Sequence, residues 1–205
     1  MIFLCIISVF NAFIISGKGA ASDAQIFNSS EVKECLNDGS IGFPAPDPLP
    51  NDTENVPYFF IADDAFALRP NMMKPYCFQG MTDEERIINY RLSRARHVVE
   101  NTFGILANRF QVLLTTMNHA PSTIRLIVTA CMCLHNLMRM RYPCLQNHQL
   151  DREDPNHNRI PGRWRQGRNL QVTFNVRGSN IDNKAGKHQR KLIKHWCNSS
   201  AGSVS

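Results

Sequence analysis

The chain reads as an α/β protein, and three stretches carry that expectation. Val56 to Ala62 is an aromatic and β-branched run, and Tyr58 to Ala62 within it fits a buried strand broken by Asp63 and Asp64. Thr82, with Asp83, Glu84 and Glu85 behind it, makes a capping box ahead of a long apolar stripe. Pro121 opens a second stripe, suited to the first position of a helix.

The other elements follow from local chemistry. Asn28 to Cys35 predicts a helix capped by Ser29 or Ser30, with Glu31 and Glu34 favoured by the dipole of its first turns. Residues 36–57 read as loop, since Gly39, Gly42, Pro44, Pro46, Pro48 and Pro50 oppose regular structure. Residues 69–82 read as a second loop around Pro70, Pro75 and Gly80. Ile88, Leu92, Ala95, Val99, Phe103, Leu106 and Phe110 recur at steps of three and four, which predicts one helical face with a break near Gly104. Ile124, Ile127, Val128, Cys131, Leu134 and Met138 predict the core face of the helix after Pro121, closed by Arg139 and Arg141. Residues 144–205 are polar and basic, and the expectation is a largely disordered tail. Lys184, Lys187, Arg190, Lys191 and Lys194 form a basic stretch there, open to phosphate contact, nuclear import or plain solvation.

Composition narrows the function classes. The 205 residues are 43% hydrophobic, enough for one ordinary domain with tails. A net charge of +6 fits a nucleic-acid partner without requiring one. Seven cysteines, an odd count without a Cys-x-x-Cys pair, point to reduced thiols. Cys131, Cys133 and His135 lack a second ligand pair and read as core residues of a helix. Residues 1–16 form an apolar segment, too short for a typical membrane span of about 20 residues. It reads as a replaced strand or as a signal-like core, followed by Gly17, Gly19, Ala20 and Ala21 but preceded by no positive charge. The sequons at Asn28, Asn51 and Asn198 do not decide between them.

Two carboxylates carry the candidate chemistry. Asp63 ends the strand run, and Glu100 lies in the basic helix Arg91 to Asn101. A carboxylate at a strand end that faces one on a later helix can hold divalent metal against a phosphodiester. Glu100 has a plainer reading as the partner of Arg96 one helical turn away.

Several ordered motifs then point to a family. They are Asp63-Asp64-Ala65-Phe66-Ala67-Leu68-Arg69-Pro70, Lys74-Pro75-Tyr76, Asn89-Tyr90-Arg91-Leu92-Ser93-Arg94-Ala95-Arg96 with Glu100, Phe103-Gly104-Ile105-Leu106, and Leu134-His135-Asn136. From about Gly17 to Tyr142 the chain resembles the DDE-superfamily endonuclease domain of PIF/Harbinger transposases and their derived nucleases. The resemblance implies an RNase H-like mixed sheet flanked by helices, here incomplete at the N-terminus, over residues 17–143. It implies Asp63 and Glu100 as catalytic, metal-holding carboxylates for a pair of Mg²⁺ or Mn²⁺ ions about 3.5–4 Å apart. Asp64, pointing the other way along a strand, is the second choice.

The same resemblance exposes a departure. Counting back to the family's first Asp lands on Cys5, and no acidic residue precedes Asp23. The N-terminus thus reads as truncated or replaced, with Asp23 as a compensating carboxylate. The expected activity is divalent-metal-dependent DNA cleavage weakened by that loss. The alternative is a non-catalytic DNA- or protein-binding remnant, with Lys74, Arg91, Arg94 and Arg96 against the DNA backbone. The expected partners are DNA and a separate DNA-binding protein, with no small-molecule cofactor and no membrane. The expected location is the nucleus and cytoplasm, or the secretory pathway if residues 1–16 act as a signal peptide.

Overall fold

The computed structural model describes residues 23–143, 149–167 and 181–202. The apolar segment 1–16 lies outside the described residues. The elements in order are α1 (Asp23–Asn28), α2 (Glu31–Asp38), β1 (Asp47–Pro48), β2 (Asn55–Val56), β3 (Phe60–Ile61), β4 (Met72–Met73), α3 (Asp83–Arg109), α4 (Pro121–Arg141), β5 (Arg152–Glu153), β6 (Arg159–Ile160) and α5 (Lys184–Asn198). Helix and strand are mixed, as an α/β class requires. The strands form three two-stranded sheets, and the described residues contain no larger mixed sheet. Two compact units divide the chain. Of the described residues, 23–96 and 181–202 fall in the first, and 97–143 and 149–167 in the second.

In the first unit, α2 starts at Ser30, whose Oγ accepts from the Lys33 N–H at 3.4 Å. It ends at Gly39, whose φ of 79° suits a residue without a Cβ. The strand run is shorter than expected. Only Phe60 and Ile61 pair, in parallel with Met72 and Met73, and β4 lies in a stretch read as loop. The expected loop 36–57 likewise carries the small antiparallel pair β1–β2, with Pro48 at an exposed position that tolerates a missing donor. The capping box holds in both directions: the Glu85 N–H donates to Thr82 Oγ1 at 3.3 Å, and the Thr82 N–H donates to Glu85 Oε2 at 3.2 Å.

The expected disordered tail is corrected by α5. Ile193, Trp196 and Cys197 join Val56, Phe59, Leu68, Met73, Ile88 and Leu92 in the core of the first unit. Gly186, Gln189, Ile193 and Trp196 are the buried stripe, while Lys184, Lys187 and Lys191 stay exposed. Two stripe positions are Gly and Gln, so hydrophobicity alone hides the pattern. Gly186 permits close approach, since a Cβ there would press on the Arg69 backbone. The Asn183 N–H donates to Leu68 O at 2.9 Å, and the Leu68 N–H to Asp182 Oδ1 at 3.1 Å. These bonds tie the start of α5 to residues more than a hundred positions earlier.

In the second unit, α3 runs through Gly104 without the expected break. A Cβ at Gly104 would overlap the Trp164 indole, so glycine serves side-chain packing here. The buried face of α3 also shifts. Ile88 and Leu92 are buried in the first unit and Leu106 in the second as expected, but Val99 and Phe103 are exposed, and Asn101, Thr102 and Ile105 are buried instead. Asn101 explains the rotation: its Oδ1 accepts from Trp164 Nε1 at 2.8 Å and from the Asp151 N–H at 3.0 Å. On α4, Cys131 is buried and Ile127 and Val128 pack on the core as expected, but Met132 and His135 are buried where Leu134 is 49% exposed. Leu106, Cys131 and Met132 form this unit's apolar core, with Phe110, Leu113, Ile127 and Val128 against it.

Candidate functional site

Asp63 follows directly on the β3–β4 pair. The Ala62 N–H donates to Met73 O at 2.8 Å, which fixes the backbone up to the carboxylate. Asp63 Oδ1 then accepts from the Ala65 N–H at 2.9 Å, an Asx turn that turns the chain away from the strand. Asp63 is half-buried, and Asp64, in the turn that follows, is exposed.

Glu100 is half-buried on α3 and belongs to the second unit. Its charge adds to the effects that raise the Arg165 guanidinium above the usual value, after the dominant bond from Asp151. Asp63 and Glu100 therefore fall in different compact units. Asp23 is the first residue of α1, and its side chain lies outside the described part of the chain.

No group of three His, Cys, Asp or Glu side chains among the described residues is placed to hold a metal ion. Cys131 and His135 are buried while Cys133 is exposed on another face of α4, so these three do not converge. His135 Nδ1 instead lies 3.4 Å from Arg109 Nη1. The described side chains therefore do not make up a ligand set for a catalytic ion.

The four expected backbone-binding cations differ in circumstance. Lys74 Nζ lies 2.8 Å from Asp182 Oδ1, with only 15% of its side chain exposed. Burial works against ionisation of Asp182, but the bonds from Lys74 and the Leu68 N–H outweigh it and hold the carboxyl below its usual range. The Arg91 guanidinium lies 5.7 Å from the Trp196 ring centroid, packed on the core helix. Arg94 lies over the Tyr90 ring at 5.7 Å and is exposed. Arg96 lines a cavity of about 430 Å³ that Asp64 also borders. Lys74 is thus paired with Asp182 and Arg91 packed on Trp196, while Arg94 is exposed and Arg96 borders a cavity.

Two polar nodes escape sequence reasoning. In the second unit, Asp151 accepts from Arg165 Nε at 2.9 Å, Arg165 Nη2 at 2.6 Å and the Gly162 N–H at 2.7 Å. The same guanidinium stacks on Trp164, 4.1 Å from the ring centroid. In the first unit, Arg190 lies 3.9 Å from the Tyr76 ring centroid, and its Nη1 donates to Pro75 O at 3.0 Å. Burial raises the Tyr76 phenol above its ordinary value, although the charges of Arg190 and Lys194 pull against it. The Arg190 contacts join residues 115 positions apart, so no local signal marks them.

The family description that matches is DDE superfamily endonuclease, over residues 6–136. The chain belongs to the DDE superfamily endonucleases. The matched range takes in both Asp63 and Glu100 and ends short of α5. Endonucleases of this superfamily typically use divalent metal. Neither a curated protein nor a solved structure matches the chain.

Proposed function

We propose that this DDE endonuclease is of the Harbinger transposase-derived type, with RNase H-like ancestry, and that its substrate is DNA. The family match across residues 6–136 is the observation that carries the reading. Asp63 at the end of a paired strand and Glu100 on α3 are its proposed catalytic carboxylates. Cleavage depends on Mg²⁺ or Mn²⁺ and is weak or absent, because a set of two carboxylates holds a divalent ion more loosely than three. Asp23 is the residue proposed to compensate. The proposal carries the nucleus as location and a separate DNA-binding protein as partner.

Plasmid nicking with millimolar Mg²⁺ or Mn²⁺ tests this, comparing the wild-type chain with Asp63→Ala and Glu100→Ala. Faint nicking by the wild type, lost in both variants, is the expected result. Vigorous wild-type nicking abolished by Asp63→Ala would overturn the weakness. No nicking, together with DNA binding that falls steeply with salt, would favour the non-catalytic remnant.

A further inference from the structure

Two adjoining cavities of about 430 and 470 Å³ open beside Asp64, and Asp64, Pro75 and Phe78 line both. Phe78 is 75% exposed, a large aromatic ring left in water between them. The chain leading to it is held firmly. Asn89 clamps Tyr76 through both backbone atoms, accepting from its N–H at 2.7 Å and donating to its O at 2.9 Å. Arg190 Nη1 donates to the carbonyls of Lys74 and Pro75 at 3.3 and 3.0 Å. An exposed ring on an anchored backbone is a preorganised contact surface, which lowers the ordering cost of binding.

The lining distinguishes the two cavities. In the larger one, Lys74 is committed to Asp182, and Arg190 to the Lys74 and Pro75 carbonyls and the Tyr76 ring. The smaller one combines Phe78 and Tyr90 with Arg86 and Arg96. Arg86 has a partner in Asp83 at 3.6 Å, but both side chains are exposed, and such a pair yields readily to a phosphate. Aromatic faces beside guanidinium groups are the pattern that holds unpaired bases and their backbone. The volume falls within the range of small-ligand sites.

We propose that the smaller cavity takes an unpaired base of single-stranded DNA, stacked on Phe78, with Arg86 and Arg96 against the flanking phosphates. This rests on DNA being the substrate, and it places an unpaired strand next to the Asp63–Asp64 corner.

The test is fluorescence anisotropy without metal, so that cleavage plays no part. A labelled single strand of about twelve nucleotides is compared with its duplex and with a free mononucleotide. The proteins are wild type, Phe78→Ala, Phe78→Leu, Phe78→Tyr and Arg96→Ala. Phe78 is exposed, so its variants should melt with the wild type. The proposal expects the single strand to bind best. Phe78→Ala and Phe78→Leu should each weaken it about fivefold or more, while Phe78→Tyr retains it. Arg96→Ala should weaken binding and flatten its salt dependence. Equal binding by wild type and Phe78→Ala would overturn the pocket while leaving a DNA-directed function in place. A mononucleotide bound as tightly as the strand would overturn it in favour of a nucleotide site. Retention by Phe78→Leu would overturn stacking in favour of a plain apolar contact. No binding to any DNA would remove both the pocket and the function on which it rests.

Discussion

Trp196→Ala should remove a large part of the first unit's stability. Trp196 is 6% exposed and packs in the cluster that contains Ile88, Leu92 and Ile193. Truncating a buried tryptophan to alanine typically costs about 3–5 kcal/mol, through lost burial and the cavity left behind. The indole N–H also donates to Pro50 O at 2.9 Å, and Arg91 lies over the ring. Both losses fall inside that range. A domain's whole stability is about 5–15 kcal/mol. With a urea slope of about 1–3 kcal/mol/M, a loss of about 3–5 kcal/mol should lower the unfolding midpoint by about 1–5 M. Circular dichroism followed through a urea titration reads it directly. Trp196→Phe keeps most of the packing and loses the hydrogen bond, so its midpoint should lie between the two. A Trp196→Ala midpoint equal to the wild-type value would refute the placement of α5 in the core.

Two further outcomes follow from the second unit and from the buried carboxylates. Gly104→Ala would gain about 1 kcal/mol of helix propensity elsewhere, but here the added Cβ meets Trp164. The net result should be a loss of about 1–3 kcal/mol, seen as a lower melting temperature; a higher one would show that the indole moves aside freely. The folded Asp151 and Asp182 carboxyls both sit below their usual range. For Asp151, burial is outweighed by the Arg165 bond, the Gly162 N–H and the Arg165 and Arg159 charges. Their contribution is complete above the unfolded value of about 3.9 and is lost as pH falls through the lower folded values. Melting temperature should therefore drop below about pH 4, and Asp151→Asn and Asp182→Asn should each reduce that drop. An unchanged acid profile in both variants would count against the two ion pairs.

The elements legible in the sequence are those set by nearby residues. Ser30 and Thr82 cap helices through bonds to residues three positions on, and Pro121 starts α4 through its own ring geometry. What failed was decided by distant partners. Gly104 reads as a helix breaker until Trp164, sixty positions later, is seen to fill the space beside it. Val99 and Phe103 belong to the apolar stripe by spacing, yet Asn101 rotates that stripe by bonding to Trp164 and Asp151. The basic composition of α5 conceals a buried face because Gly186 and Gln189 occupy two of its five positions. At the candidate site, the position of Asp63 after a strand was legible, while the commitment of Lys74 to Asp182 was not. Asp182 lies more than a hundred residues away, in a segment whose composition suggests a disordered tail.

The family match and the folded unit therefore have different limits. The match ends at residue 136, but the first unit, which carries Asp63, draws Ile193, Trp196 and Cys197 from beyond it. Lys194 also pairs with Glu84 at 3.1 Å, and Asn198 donates to Glu84 O, so α5 contacts the first turn of α3. A chain cut after the matched range would remove three buried side chains from the core that backs the strand before Asp63. Its failure to nick DNA would report lost packing as readily as a deficient carboxylate set. The carboxylates are tested only in a chain that retains α5, with Asp63→Ala and Glu100→Ala shown to melt alongside the wild type.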